Sequence, residues 1–385
     1  MDKAKELLKK NTMLLTLLVV TAFFTFKTGG TLIVPGNVTN LIAQNGYVVV
    51  LAVGMLMCIL TGGNIDLSVG SVVALVGALA GKLIVVQGLN IWVSILICLV
   101  VGIIIGIWQG FWIAYIRIPA FIVTLAGMLL WRGVALIILD GETISPFPDN
   151  YLRLFNSYIP DIFNGKINIL CILIGVFVCI VYILGQFIKR FKRRGKGYEL
   201  ESMSIMFSRM IVICLVAMAL TYSLAQHKGI PTILILLAFV VIIYGYFTIK
   251  TVPGRYLYAV GGNEKAAKLS GINTNKVLFF AYINMAFLSA VAALMCVSRF
   301  NSAAPTAGTN YEMDAIGACY IGGASAYGGI GTVGGVVIGA IFMGVLNNGM
   351  SIMGIDSNIQ KAVKGLVLLA AVAFDVISKK RSKAA

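Results

Sequence analysis

Apolar residues run along this chain in blocks of about twenty, the length at which a helix crosses the hydrocarbon core of a bilayer. Blocks at 12–33, 41–60, 68–87, 90–115, 119–139, 167–188, 208–226, 230–250, 277–299, 312–326, 331–350 and 359–377 predict twelve transmembrane helices. The intervening polar stretches are short, and none reads as a soluble domain. Residues 1–385 therefore read as one all-α unit, a polytopic transmembrane helical bundle.

Composition removes the soluble alternatives. Hydrophobic residues make up 59% of the chain and charged residues 11%, against about 25% charged in an ordinary soluble domain. So much apolar surface cannot be hidden in the protein's own core. The net charge of +16 would suggest nucleic acid in a soluble protein. Here the cations gather in short loops between apolar blocks, the pattern that sets membrane orientation, so no nucleic-acid partner is expected. Lys3, Lys5, Lys9 and Lys10 place the N-terminus in the cytoplasm. Counting spans alternately puts three further basic segments on that side: the loop 189–207, with KRFKRRGKGYELES; the loop 250–276; and the tail KKRSK. The loop 140–166, richer in acids, falls on the extracytoplasmic side. Both termini are then cytoplasmic in a multi-pass protein of the cell membrane, and lipid is its solvent. The first apolar block is long and lacks a small-residue cleavage site, so it reads as a retained span.

Candidate chemistry is sparse. All seven cysteines lie in apolar runs without metal-site spacing, and His227 lies in the loop QHKG. No metal site is expected, and no GxxxxGK[ST] phosphate loop is present. With no clustered nucleophile, base or metal ligand, an intramembrane enzyme is disfavoured. Small residues recur at helical spacing instead: Gly77 and Gly81; Gly102, Gly106 and Gly110; Gly335 and Gly339. Such stripes let helix backbones approach closely. LTGGNIDLSVGSVVALVGALAG (60–81) and YIGGASAYGGIGTVGGVVIGAI (320–341) are faintly alike. Paired, interrupted helices of this kind point toward a transporter's substrate path.

Asp66 has two readings. A carboxylate at membrane depth must face protein or water, so it either caps the following helix or belongs to a break that lines the translocation path. Asn45, Gln109, Asn301, Asn347 and Asn348 are the other path candidates, with Asn64 beside Asp66. For each, hydrogen bonding between helices is the competing role. Lys361 and Lys364 either snorkel to headgroups or meet Glu312 or Asp314, and Arg132, if it lies mid-span, needs a partner.

The loop at 250–276 carries a sharper signal. Asn263 suits an N-cap, EKAAKLS a short helix, and Gly271 the left-handed residue that ends it. Gly261 and Gly262 are expected to form the turn before it, and Asn273 or Thr274 to cap the next span. The result is a short helix outside the membrane, shaped to dock on a partner or on headgroups.

GGNIDLSVGSVVALVGALAG, GRYLYAVGGNEKAAKLSGI and the stretch 311–355 together resemble the permease subunits of ribose-, galactose- and xylose-type ABC importers. The resemblance covers 40–135 and 230–378, with Glu264, Ala266, Ala267 and Gly271 at the places of that family's cytoplasmic coupling motif. It implies a type II ABC importer-like permease fold and a homodimeric pore. It also implies ABC ATPase subunits, which carry the ATP and Mg, and an extracytoplasmic sugar-binding protein; this chain itself holds no cofactor. The helix at 263–271 becomes the coupling helix. The insert near 167–226 resembles the longer branch with xylose and multiple-monosaccharide permeases. The alternative from the residues alone is an ion-coupled secondary transporter, for which Asp66 is the main acidic candidate.

Overall fold

The computed structural model describes residues 12–384 except 164, 166, 199 and 201; side chains at 12 and beyond 377 are not described. The lysines at 3, 5, 9 and 10, which carried part of the orientation argument, lie outside the described residues. Every regular element described is helical. In chain order they are α1 (Thr12–Lys27), α2 (Pro35–Leu60), α3 (Val69–Gly81, continued by a π turn at Lys82–Val86), α4 (Ile91–Ala114), α5 (Ala120–Leu139), α6 (Asp149–Phe155), α7 (Ile169–Gly195), α8 (Met203–Ala225), α9 (Thr232–Lys250), α10 (Val252–Gly262), α11 (Glu264–Leu269), α12 (Thr274–Phe300), α13 (Tyr311–Ile321), α14 (Val333–Ile352) and α15 (Ser357–Ala384).

Among the described residues nine helices are long and apolar enough to cross a membrane, against the twelve that periodicity predicts. The differences have local causes. The first block stops at Lys27, leaving a helix of 16 residues. The block at 312–326 becomes an 11-residue helix, α13. At 1.5 Å per residue that is about 16 Å, half a bilayer core. Asn310 before it and Gly323 after it both have left-handed backbones, at φ 64° and 81°, and these set its limits. The block at 359–377 lies within α15, whose lysines and basic end dilute its apolar character. The basic loop 189–207 is also shorter than expected. Lys189–Arg194 continue α7 to Gly195, because Lys and Arg are good helix formers and their charge complements the helix C-terminus.

The chain forms two compact units. One contains Leu41–Asn156, the residues from Ile233 onward and those before Ile33; the other contains Ile33–Asn40 and Ser157–Thr232. In the first, the interior is made by α2 from Val48 onward, nearly all of α3, and one long face of α12. The glycine stripe of α4 explains how α12 comes so near. A Cβ at Gly102 would lie 2.6 Å from that of Ala290, one at Gly106 2.5 Å from the Ile283 Cα, and one at Gly110 2.9 Å from the Phe279 ring. Lipid competes with protein for apolar contact, so dispersion at this short range is what holds such helices together. The segment 140–166 is structured in its first half. Tyr151 of α6 is fully buried and its hydroxyl donates to the Leu294 carbonyl of α12 at 2.8 Å. In the second unit α7 and α8 pack side by side through Gly175 and Thr221. Most of their apolar side chains, such as Phe177, Leu184 and Val216, stay exposed.

Candidate functional site

The segment 250–276 is two helices rather than one. Thr251 caps α10 by accepting the Gly254 N–H at 3.1 Å. That helix runs through Gly261 and Gly262, which the sequence expects to turn, and breaks at Asn263, where the backbone is extended. Asn263 is the cap of α11 as its type suggests: its Oδ1 accepts the Ala266 N–H at 3.0 Å. Gly271, at φ 84°, closes α11 in a Schellman arrangement. The Ile272 N–H donates to the Ala267 carbonyl at 3.1 Å and the Gly271 N–H to that of Lys268 at 3.0 Å. Asn273 then caps α12 through the Lys276 N–H at 3.0 Å. The six residues of α11 divide sharply by face. Ala267 is buried within the chain, whereas Glu264, Lys265, Ala266 and Lys268 are exposed and Leu269 is 90% exposed.

Arg117, in the link between α4 and α5, holds this segment from the side. Its guanidinium pairs with Glu264 Oε1 at 2.7 Å and donates to Thr274 Oγ1 at 3.0 Å and Asn275 Oδ1 at 2.5 Å. Burial alone would raise the Glu264 carboxyl; the hydrogen bonds from Arg117 and Thr274 and the nearby cationic charge outweigh it and leave it below its ordinary value. Arg117 itself has a left-handed backbone at φ 64°. Nothing in the local sequence points to it beyond a lone cation two residues before a proline.

The far end of α10 meets both glycine-rich breaks. A Cβ on Gly261 would collide with the Leu60 carbonyl at the end of α2 and lie 2.5 Å from the Gly329 nitrogen. Those two groups are hydrogen bonded to each other, Gly329 N–H to Leu60 O at 3.1 Å. A Cβ on Gly63 would strike the Ala326 carbonyl, and one on Gly328 would lie 2.5 Å from the Gly62 Cα. The Tyr258 hydroxyl of α10 donates to the Gly331 carbonyl at 2.9 Å. The two stretches whose likeness is faint in sequence thus lie backbone to backbone, with α10 seated on both. Bare glycine is what permits an approach this close.

Asp66 lies between α2 and α3 and is 1% exposed. Its Oδ1 accepts the Ser68 N–H at 2.8 Å and the Ser68 hydroxyl at 2.6 Å, so it stabilises the start of α3 through a local turn. Ser68 Oγ in turn accepts from Gln109 Nε2 at 2.5 Å. Gln109 Oε1 and Trp131 Nε1, both buried beside the bare Gly127, have no protein partner. This chain of polar groups joins α3, α4 and α5.

The remaining path candidates are dispersed. Asn45 bonds back to the Leu41 carbonyl at 2.8 Å and packs against Gly344. Asn64 bonds to Thr61 Oγ1 at 3.2 Å. Asn301 is exposed, ends α12 in a left-handed turn at φ 52°, and accepts the Phe147 N–H at 2.8 Å. Asn347 and Asn348 are buried on α14, and Asn347 Oδ1 has no partner. Asp66 and Gln109 are brought into one network, through Ser68. Of the two acids offered to Lys364, Asp314 is the one it meets, at 2.9 Å from Oδ1. Tyr47 donates to the other oxygen at 3.0 Å and stacks on Tyr311 with ring centroids 3.9 Å apart. Arg132 finds backbone partners, the carbonyls of Pro305 at 3.2 Å and Ala307 at 2.5 Å.

Residues 37–372 match the family described as branched-chain amino acid transport system / permease component. The chain belongs to this permease family. It is 37% identical over 369 residues to the xylose transport system permease protein XylH of Haemophilus influenzae, covering 96% of each chain. It is 36% identical over 370 residues to XylH of Escherichia coli, covering 96% of the permease and 92% of that relative. The ribose import permease protein RbsC of Haemophilus influenzae is 36% identical over 340 residues, covering 88% of the permease and 84% of that protein. No solved structure gave a significant match. The permease is accordingly a transport subunit rather than an enzyme, and a multi-pass membrane protein.

Proposed function

We propose that this permease is the membrane subunit of an ABC importer for xylose or a small set of monosaccharides. Two identical copies form the pore, ABC ATPase subunits dock at 250–276, and an extracytoplasmic sugar-binding protein delivers the substrate. ATP and Mg belong to the ATPase chains. Both termini face the cytoplasm, and 140–166 faces the binding protein. Two relatives named for xylose and one named for ribose support the substrate class, and the xylose-type alignment takes in 96% of the chain, insert included.

The observation that carries the docking site is the form of α11. It is capped at both ends, it presents Leu269 at 90% exposure, and it follows directly on a helix seated against both glycine breaks. Leu269, flanked by exposed Lys265 and Lys268, is the anchor that enters the ATPase. Ala267 faces inward, so it positions the helix rather than touching a partner. When ATP draws the two ATPases together, α11 moves with them. Tyr258 and Gly261 pass that displacement to the breaks at 60–63 and 326–331, where the open side of the path changes. Asn45, Asn64, Asp66, Gln109, Asn301, Asn347 and Asn348 offer hydrogen bonds to the passing sugar, with Asp66 and Ser68 keeping the start of α3 fixed.

The test is Leu269→Glu in the reconstituted importer. Loss of a buried interface anchor costs about 2 kcal/mol or more, roughly a 30-fold fall in affinity. Capture of the ATPase subunit should fall by that factor while membrane insertion and thermal stability stay unchanged. Undiminished capture would remove α11 as the docking site. Uptake of labelled xylose, ribose and leucine by the wild-type complex checks the substrate: leucine uptake without sugar uptake would replace the sugar reading. Transport by the isolated chain driven by an ion gradient would replace the ABC reading.

A further inference from the structure

The polar chain from Asp66 through Ser68 to Gln109 reaches two groups that the protein leaves unpaired. Among the described residues neither Gln109 Oε1 nor Trp131 Nε1 has a hydrogen-bond partner, and both atoms are buried, a costly state for either. The direction of the amide is set from Asp66. The Ser68 hydroxyl donates to Asp66 Oδ1 at 2.6 Å, so its oxygen is left to accept. Gln109 therefore turns its NH2 group toward Ser68, at 2.5 Å, and its Oε1 is turned away as a free acceptor. Trp131 Nε1 can only donate. Gly127 keeps the space between the two side chains clear. A Cβ there would lie 2.8 Å from Gln109 Nε2 and 3.2 Å from Trp131 Nε1.

Aromatic rings gather around this pair. Trp108, next to Gln109 on α4, meets Trp131 of α5 edge to face, with ring centroids 5.3 Å apart. Trp112 follows one turn along α4, with its centroid 6.4 Å from that of Trp108. Three of the chain's four tryptophans thus share one place, each half-buried. The belt of tryptophans at a membrane interface accounts for Trp112, near the end of α4, but not for Trp131. Trp131 lies midway along the 20 residues of α5, about 16 Å along the axis from the first. Packing alone would be served by phenylalanine, which brings no N–H to satisfy.

A single hydroxyl answers both needs, because it donates one hydrogen bond and accepts another. A carboxylate only accepts and an ammonium only donates, so either would leave one of the two atoms unpaired. The negative faces of indole rings also suit the C–H groups of a sugar, which neighbouring oxygens make slightly positive. We propose that Gln109 and Trp131 form a subsite for one hydroxyl of a neutral monosaccharide, with Trp108 and Trp112 beside its C–H face. This subsite rests on the sugar-importer reading above and adds to it the residues that select a hydroxyl. Asp66 and Ser68 act here as positioning residues, through the amide. Both atoms are covered in this conformation, so the sugar meets them as α5 shifts during the transport cycle. Brief contact of that kind suits a solute that must also be released.

The experiment measures uptake of xylose and of each of its monodeoxy analogues by the importer reconstituted with its ATPase, at saturating, sugar-loaded binding protein. Wild type should move one analogue about three- to tenfold more slowly than xylose, the factor expected for one hydrogen-bonded hydroxyl. W131F keeps a ring but loses the N–H. It should slow xylose by that factor and leave that analogue unchanged, so that the two run alike. G127A, whose methyl intrudes between amide and indole, should narrow the same gap and carries the test if W131F does not fold. Trp92→Phe, at a ring 67% exposed, should match wild type. A wild type that moves xylose and every analogue alike would overturn the subsite. So would W131F that moves xylose at the wild-type rate, or that slows xylose and every analogue equally, the pattern of a buried water or a packing contact. Equal loss in W92F and W131F would overturn it too. Wild-type uptake of leucine without sugar would refute the importer reading, and the subsite with it, whereas sugar uptake with any of the other patterns refutes the subsite alone.

Discussion

Gly261 and Gly262 are neighbours in the last turn of α10, and the structure requires opposite outcomes when each becomes alanine. A methyl on Gly262 meets nothing within 4 Å. Alanine there should be neutral, or stabilise α10 by up to about 0.5–1 kcal/mol through its higher helix propensity. A methyl on Gly261 would overlap the Leu60 carbonyl and lie 2.5 Å from the Gly329 nitrogen and 2.9 Å from the Leu60 carbonyl carbon. Comfortable contact needs about 3.5 Å, so relieving the overlap with the Leu60 oxygen takes a parting of the backbones well beyond about 1 Å. The hydrogen bond from Gly329 to Leu60, 3.1 Å long, lies at that contact. Its loss costs roughly 0.5–1.5 kcal/mol, and overpacking typically adds about 1–3 kcal/mol. Gly261→Ala should therefore unseat α10 from both breaks while leaving the exposed face of α11 intact. In proteoliposomes with the ATPase and the binding protein, it should still capture the ATPase but lose sugar-stimulated ATP hydrolysis and uptake at least tenfold, the factor corresponding to about 1.4 kcal/mol. Gly262→Ala should match wild type in all three assays. Wild-type uptake by Gly261→Ala, or equal damage from both substitutions, would refute the idea that this contact transmits motion.

Two further outcomes follow from the ion pairs. Lys364→Met leaves the Asp314 carboxylate, 2% exposed, without its cation, and should cost about 3 kcal/mol in thermal unfolding; K364M/D314L should recover most of that loss, and a double variant no better than the single one would show that the pair is not what holds α15 to α13. Arg117→Gln breaks a pair whose side chains are 41% and 44% exposed, so its effect on stability should stay below about 1 kcal/mol while transport falls more strongly. Because the Glu264 carboxyl lies below its ordinary value when folded, the stability it adds is complete above the usual carboxylate range and fades as pH falls through that lowered value. The difference between wild type and R117Q should thus persist at pH 6 and shrink as the pH falls below the usual carboxylate range; a difference that grows on acidification would contradict the assignment.

Much of this protein is written in its local sequence. Apolar length and the placement of charge specify a helical membrane protein, because lipid offers no hydrogen bonds and leaves the helix as the economical spanning form. Caps are equally local. Asn263, Gly271 and Asn273 act on backbone groups three or four residues away, and their roles could be read directly from their types. The same holds for Asp66 as a helix-start residue, since its partner is Ser68.

What tertiary structure alone decided concerns distance and direction across the fold. Gly261 and Gly262 look alike in sequence, yet one touches Leu60 and Gly329 and the other touches nothing, a difference set by which helix arrives alongside. Arg117 meets Glu264 across 147 residues of chain, and Tyr258 meets Gly331 across 73, so no local pattern announces either. The inward turn of Ala267 and outward turn of Leu269 follow from how α11 rests on its neighbours, which its own six residues cannot encode. The span at 312–326 fails for a related reason: hydropathy measures how apolar a stretch is, whereas its ends are set by left-handed residues at 310 and 323 that hydropathy does not see.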